Sequence, residues 1–300
     1  MKRLMLMLAT VLAFSAASGQ NLRFASRPSL SPDGETLYFA YLGDIYTVAA
    51  TGGRALSLVS LPGQENHPVV SPDGKWLAFS SDINGNQDVY VIPVAGGQAV
   101  QLTYHEANDF PVSWSPDSQS VYFESNRSGA RRTTYRVAVT GGTPQLLFDG
   151  YFTTVVNLVE NPKDGSFYFN ESGESINFPT RKRYVGDHNA NILSWNPKKK
   201  QYTELTDYEG KDAWPMVDAK GTLYYVSDEL NKESNIVKYV AGGKPQQLTA
   251  FTSSVQYPRI AWNGSKIAYL LDYEIHLLDP ATGKDAVPQI VVSAADPAVR

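Results

Sequence analysis

Arginine is the residue type in this chain whose spacing most directly suggests chemistry. Arg127, Arg131, Arg132 and Arg136 crowd one short stretch, and Arg181-Lys182-Arg183 forms a second basic group, although the formal net charge of the chain is −4. A guanidinium is a planar fork that grips a carboxylate through two parallel hydrogen bonds, so the adjacent pair Arg131 and Arg132 suits a peptide C-terminus. The same residues would equally suit a solvated hairpin whose cations pair with neighbouring Glu or Asp.

Other reactive groupings are weaker. A serine hydrolase of the elbow type carries Gly-x-Ser-x-Gly with a His partner, and no such phrase occurs. His67, His105, His188 and His276 are scattered without the His-Glu-x-x-His spacing of a zinc site. Structural places at strand ends are expected for them, and no residue is assigned a catalytic or metal-binding role. Asp82-Ile-Asn-Gly-Asn-Gln-Asp88 alternates oxygen side chains around a Gly as a calcium loop does, but it lacks the closing bidentate Glu. Asn84-Gly85 reads instead as a hairpin turn. No Cys is present, which removes disulfides, thiolate chemistry and Cys-based zinc sites. No cofactor is expected.

Lys2 and Arg3 precede an apolar run from Leu4 to Ala17, and Ala17-Ser18-Gly19 places small residues before a cut that would leave Gln20 first. Residues 1–19 therefore read as a secretory signal peptide. At about 14 residues the run is too short for the ~20 that span a bilayer. Its removal takes the net charge to −6, which argues against a nucleic-acid partner. The location expected is periplasmic or secreted, with no membrane span left after processing.

The elements that must position the arginines are legible as an internal repeat. Six copies of one phrase can be traced over the 300 residues. They begin at Pro28-Ser-Leu-Ser-Pro-Asp-Gly34, Pro68-Val-Val-Ser-Pro-Asp-Gly74, Pro111 to Ser118, Asn161-Pro-Lys-Asp-Gly165, Trp214-Pro215 and Tyr257-Pro258. Each copy holds four short β-prone segments separated by turn residues, and phrases such as Gln101-Leu-Thr103, Glu204-Leu-Thr206 and Gln247-Leu-Thr249 recur near their ends. Segments such as Trp76 to Phe79 are apolar on successive residues, so both faces must be covered. A four-stranded blade between two neighbours meets that demand, and closing the series leaves no blade bare. The fold predicted is all-β, a six-bladed β-propeller of four-stranded antiparallel blades spanning residues 22–293, with 294–300 beginning a linker. Copy six is expected to end on Gln289 to Ser293 as its outer strand, so that no strand crosses the seam unless Leu22 to Phe24 pairs there.

Arg131-Arg132, Arg181-Lys-Arg-Tyr-Val-Gly186, Leu205-Thr-Asp207, Trp214-Pro215 and Tyr224-Tyr-Val-Ser-Asp228 make the chain resemble the amino-terminal propeller of tricorn-type serine peptidases. The Ser-Pro-Asp-Gly turns are shared more widely, with TolB-like propellers and prolyl-oligopeptidase relatives. The blade-four insertion departs from the family pattern, with Gly186-Asp187 where Gly-Gly is common. The resemblance implies a non-catalytic part of an exported peptidase whose PDZ and peptidase domains follow in the same parent chain. It implies oligopeptides as ligands, a channel-filter role for the ring, and Arg131 and Arg132 as anchors for the peptide's C-terminal carboxylate. Catalytic residues of the family belong to the peptidase core, so none is carried over, and homo-oligomers are compatible with the reading. The alternative is a free-standing TolB-like periplasmic scaffold for protein–protein interaction.

Overall fold

The structure, a computed structural model, describes residues 21–129, 131–148 and 154–292. The expected signal peptide and the linker at 294–300 lie outside the described residues.

Local turn chemistry starts each blade. In the first, Asp33 Oδ1 accepts from Glu35 N–H at 3.0 Å and Ser31 Oγ accepts from Thr36 N–H at 2.9 Å. The same pair of bonds recurs at Ser71/Asp73 and at Ser115/Asp117. Ser-Pro-Asp-Gly is thus a hairpin clasp joining the first two strands. The Leu-Thr phrases have an equally local reason. Thr103 Oγ1 accepts from Val89 N–H and donates to Asp88, and Thr249 Oγ1 accepts from Ile236 N–H and donates to Asn235. The outer segment of those blades is pinned to the start of the third strand.

Six sheets result. Their inner strands are Ser26–Leu30, Glu65–Val70, Asp109–Trp114, Val156–Glu160, Asp212–Val217 and Gln256–Ile260. Each inner strand packs against the next, and the sixth packs against the first, which closes a ring of six blades. The second strands are buried on both faces: Leu37, Phe39, Leu77, Phe79, Val121, Phe123, Ile267 and Tyr269 are all 0% exposed. The core is accordingly six apolar wedges, one between each pair of neighbours. Tyr38, Ile45, Leu77 and Phe79 join blades one and two, and Leu37, Phe39, Ala268 and Leu270 join blades one and six. The other four wedges join the remaining neighbours in the same way.

The seam differs from the sequence expectation. Blade six takes Asp285–Ala286 as its fourth strand, while Gln289–Val292 leaves it and runs parallel to Gly52–Val59 of blade one. Blade one's outer strand has eight residues against two in blades two, three, five and six, so it presents a long unpaired edge. Gly52, at φ 96°, admits the partner, since a Cβ there would meet Gln289 O at 2.6 Å. The amino-terminal segment then binds the crossing strand and blade six: Leu22 N–H donates to Ile290 C=O of the former at 3.2 Å, and Phe24 N–H donates to Tyr273 C=O of the latter at 3.0 Å.

Because each wedge belongs to two blades, damage to one should loosen the whole ring. Phe123→Ala is expected to remove about 3–5 kcal/mol of stability. The measurement is urea unfolding, with one transition moved to lower midpoint; a split transition in which distant blades persist would contradict this dependence.

Candidate functional site

The structure separates the basic residues into different roles. Arg127 is ion-paired with the buried carboxylate of Asp109, and its guanidinium lies 5.0 Å from the Phe123 ring centre. Arg136 donates to Gln145 on the outer strands. Lys182 and Arg183 both pair with Glu233 of blade five, at 2.6 and 3.7 Å. These residues brace the fold. Arg131 and Arg132 stand together at the end of a hairpin beside an open recess.

That recess, about 520 Å³, lies between the blade-three hairpin and the blade-four insertion, with Arg131, Arg132, Arg181, His188 and Phe178 in its wall. Arg132 is half-buried, with its guanidinium 4.9 Å from the Phe110 ring centre and 3.7 Å from Glu124. Arg131 is exposed and also lines an adjoining 310 Å³ recess with Asp187, His188 and Tyr202. The opposite wall carries a four-residue helix, Glu174–Asn177. Arg181 forks onto the buried Glu174 and lies between the rings of Phe178 and Tyr184, at 4.4 and 4.1 Å. Lys211, 3% exposed, donates to the carbonyl oxygens of Arg181 at 2.9 Å and Phe178 at 3.3 Å. Burial lowers its pKa while Glu174 raises it. One lysine from blade five therefore ties down the insertion that forms the recess wall.

A second constellation, on the propeller axis, was not read from the sequence. In five blades the inner strand bulges at its start, setting Arg27, His67, Asn157, Trp214 and Tyr257 in the left-handed region at φ 51–55°. Four of these precede a proline, which disfavours helical backbone at that position, so the conformation is strained by about 1–3 kcal/mol each. Bulges re-aim side chains. Here they place all five residues around an axial cavity of about 30 Å³, with Arg259 alongside. Blade three bulges later, at Val112, and Val112 C=O accepts a hydrogen bond from the Arg259 guanidinium. Blades three and six face each other across the ring, so Arg259 crosses the axis. It also borders the 100 Å³ cavity on the far side, and so separates the two.

Electrostatics around the axis are one-sided. Burial, then the neighbouring Arg27, brings the Arg259 pKa down to about 10. Burial also lowers that of Arg27. His67 is held well below its ordinary value by burial and by Arg27, Arg259 and Arg132, and is neutral at pH 7. Glu124 is raised by burial, against the pull of Asn157 N–H and Arg132.

The four His residues do not converge. His67 packs 4.7 Å from Phe110, His105 Nδ1 accepts from Ala107 N–H, His188 faces the recess, and His276 Nδ1 sits 2.8 Å from Asp285. The oxygen side chains of Asp82 to Asp88 are directed to separate partners. Asp82 accepts from Gln64 N–H, and Asp88 accepts from Thr103 and Gln101. Among the described residues no group of three His, Cys, Asp or Glu is placed to hold a metal ion, and no helix is long and apolar enough to cross a membrane.

Fold and site together define a six-bladed β-propeller with a basic recess beside an arginine-crossed axis. The chain belongs to the tricorn protease N-terminal β-propeller domain family, which it matches over residues 22–284. It is similar to the crystal structure of the tricorn protease, with TM-score 0.74, 17% identity, and coverage of 88% of this chain and 26% of that one. It is also similar to TolB from Acinetobacter baumannii, with TM-score 0.57, 18% identity, and coverage of 79% and 57%. The β-propeller domain of the Trilobed protease from Pyrococcus furiosus, described as having an open velcro topology, gives TM-score 0.52 and 12% identity, with coverage of 88% and 84%. At these identities the likenesses establish the fold, and the chain spans about a quarter of the tricorn protease's length.

Two outcomes follow from this geometry. Lys211→Met should free the insertion, raising tryptic cleavage at Arg181, Lys182 and Arg183 by about tenfold or more while the ring stays folded. Unchanged cleavage would mean the lysine does not hold the wall. The second concerns Asp212, at the start of blade five's inner strand, whose carboxyl is pushed up to about 7 by burial against the pull of the Ser227 and Thr206 hydroxyls. Between its unfolded pKa of about 4 and about 7, the folded state keeps a proton that the unfolded chain releases, so this residue's contribution to stability falls as pH rises. Urea unfolding across that range should show a shallower decline in Asp212→Asn than in the parent; equal slopes would refute the assignment.

Proposed function

We propose that this propeller is the non-catalytic part of an exported serine peptidase of the tricorn kind, and that it receives the C-terminal carboxylate of oligopeptides. The observation that carries the reading is the position of Arg131 and Arg132 side by side at a 520 Å³ polar recess. Arg132 is held in place from below by Phe110 and Glu124. A guanidinium fixed in this way loses little rotamer freedom on binding. Arg181, by comparison, already serves Glu174 and acts as wall rather than anchor.

The filter role takes a specific form. Arg259 bars the axis, so a peptide reaches the recess from the face that carries it and passes along the axis only when that side chain swings away. The recess admits a chain end and excludes a folded domain. Peptide cleavage belongs, in this reading, to a peptidase domain of the same parent chain, working in the periplasm or outside the cell.

The test is binding of one oligopeptide as free acid and as C-terminal amide, followed by fluorescence anisotropy. A preference of about tenfold or more for the free acid is expected, consistent with a charge-assisted bidentate contact. Arg131→Ala/Arg132→Ala should abolish the preference at a temperature where the variant is folded by circular dichroism, the lost Arg132–Glu124 pair lowering its thermal midpoint. Equal affinity for both peptides in the parent protein, or a preference that survives the double substitution, overturns the anchor.

A further inference from the structure

We propose that the axial cavity bounded by Arg27 and Arg259 is a binding site for a small monovalent anion of chloride size. The site is separate from the recess and does not depend on the peptide reading.

Arg27 and Arg259 are half-buried, and partly desolvated cations set close together gain from a counter-ion. Three guanidiniums, those of Arg27, Arg132 and Arg259, approach the axis. Glu124 is the carboxylate whose field acts on both Arg27 and Arg259. That carboxylate is already engaged, accepting from Asn157 N–H at 2.8 Å and pairing with Arg132 at 3.7 Å. Arg27 makes no hydrogen bond or ion pair among the described residues; its guanidinium lies flat on Tyr257, 3.9 Å from the ring centre. Arg259 spends one N–H on Val112 C=O, a neutral acceptor that leaves its charge uncompensated. The two cations thus share one cavity wall with no carboxylate of their own.

Shape and lining fix the class of ligand. A volume of about 30 Å³ suits one or two water-sized bodies, which fits a halide better than sulfate or phosphate. The rest of the lining adds the neutral imidazole of His67 and the positive ring edges that Trp214 and Tyr257 can offer, whereas both amide N–H groups of Asn157 are taken, by Asn170 Oδ1 at 3.0 Å and Ser175 Oγ at 2.7 Å. The backbone supports the same conclusion from another direction. Strained left-handed residues, repeated in five blades, are held where they gather these side chains at one point. An anion seated there screens Arg27 from Arg259 and keeps the latter extended across the ring, joining opposite blades.

The experiment compares thermal midpoints of the chain in sodium chloride and in sodium gluconate at equal ionic strength. Chloride should raise the midpoint by several degrees between about 1 and 200 mM, as selective binding to the folded state requires. Sulfate at matched ionic strength should behave as gluconate does. Arg27→Gln should lose the chloride increment. Should that variant fail to fold, bromide-soaked crystals of the parent protein decide, with an anomalous peak expected in the axial cavity. Equal midpoints in chloride and gluconate, a sulfate shift as large as chloride's, or no bromide peak between Arg27 and Arg259 would each overturn the proposal. Formate reproducing the shift with no bromide peak would assign the site to carboxylates instead, and likewise defeat it.

Discussion

A strand that is apolar on both faces has to be covered on both faces, and six such strands in series leave a linear stack with two bare ends. That constraint governs the rest of the molecule. Phe39, Phe79 and Phe123 occupy the same place in successive blades, each inside a wedge shared with a neighbour. No blade has a private core, so closing the ring is part of folding rather than a later docking step. The seam is the weak point of such a design, because its two sides come from opposite ends of the chain. Here it is secured by an apolar wedge, by the parallel strand Gln289–Val292, and by the segment from Leu22 to Phe24 bonded to both sides.

Ring closure in turn creates the axis, where the packing logic changes from apolar to polar. Six inner strands converging on one line leave little room, and each contributes the residue at its bulge. Large polar side chains there would repel one another or remain unsolvated unless something specific compensates. Tyr257 under Arg27 and the Val112 carbonyl opposite Arg259 supply part of that compensation. Neither supplies negative charge. The axis is therefore a region where the fold maintains strained backbone and like charges together.

How much of this was legible beforehand depended on whether the cause was local. Ser-Pro-Asp-Gly could be read as a turn because its hydrogen bonds stay within five residues, and the six blades followed from counting those turns. Arg131 and Arg132 could be singled out because they are adjacent. The crossing of Gln289–Val292 could not be read, since it depends on a free edge more than two hundred residues earlier and on the missing Cβ of Gly52. Arg27-Pro28, His67-Pro68, Trp214-Pro215 and Tyr257-Pro258 stand at equivalent places in their repeats, but that the residues before the prolines meet on the axis depends on the bulges and on ring closure. Arg259 and Val112 carry no signal at all, because only the closed ring makes them face each other.

The two basic regions are linked by shared side chains, which matters for how the face works as a whole. Phe110 packs against His67 on the axis and under Arg132 at the recess, and Glu124 accepts from Asn157 while pairing with Arg132. Anything that shifts Glu124 toward Arg132 withdraws it from Arg27 and Arg259, and anything that neutralises the axis releases it. Recess and axis thus share one buried carboxylate, Glu124, which pairs with Arg132 while its field also reaches Arg27 and Arg259.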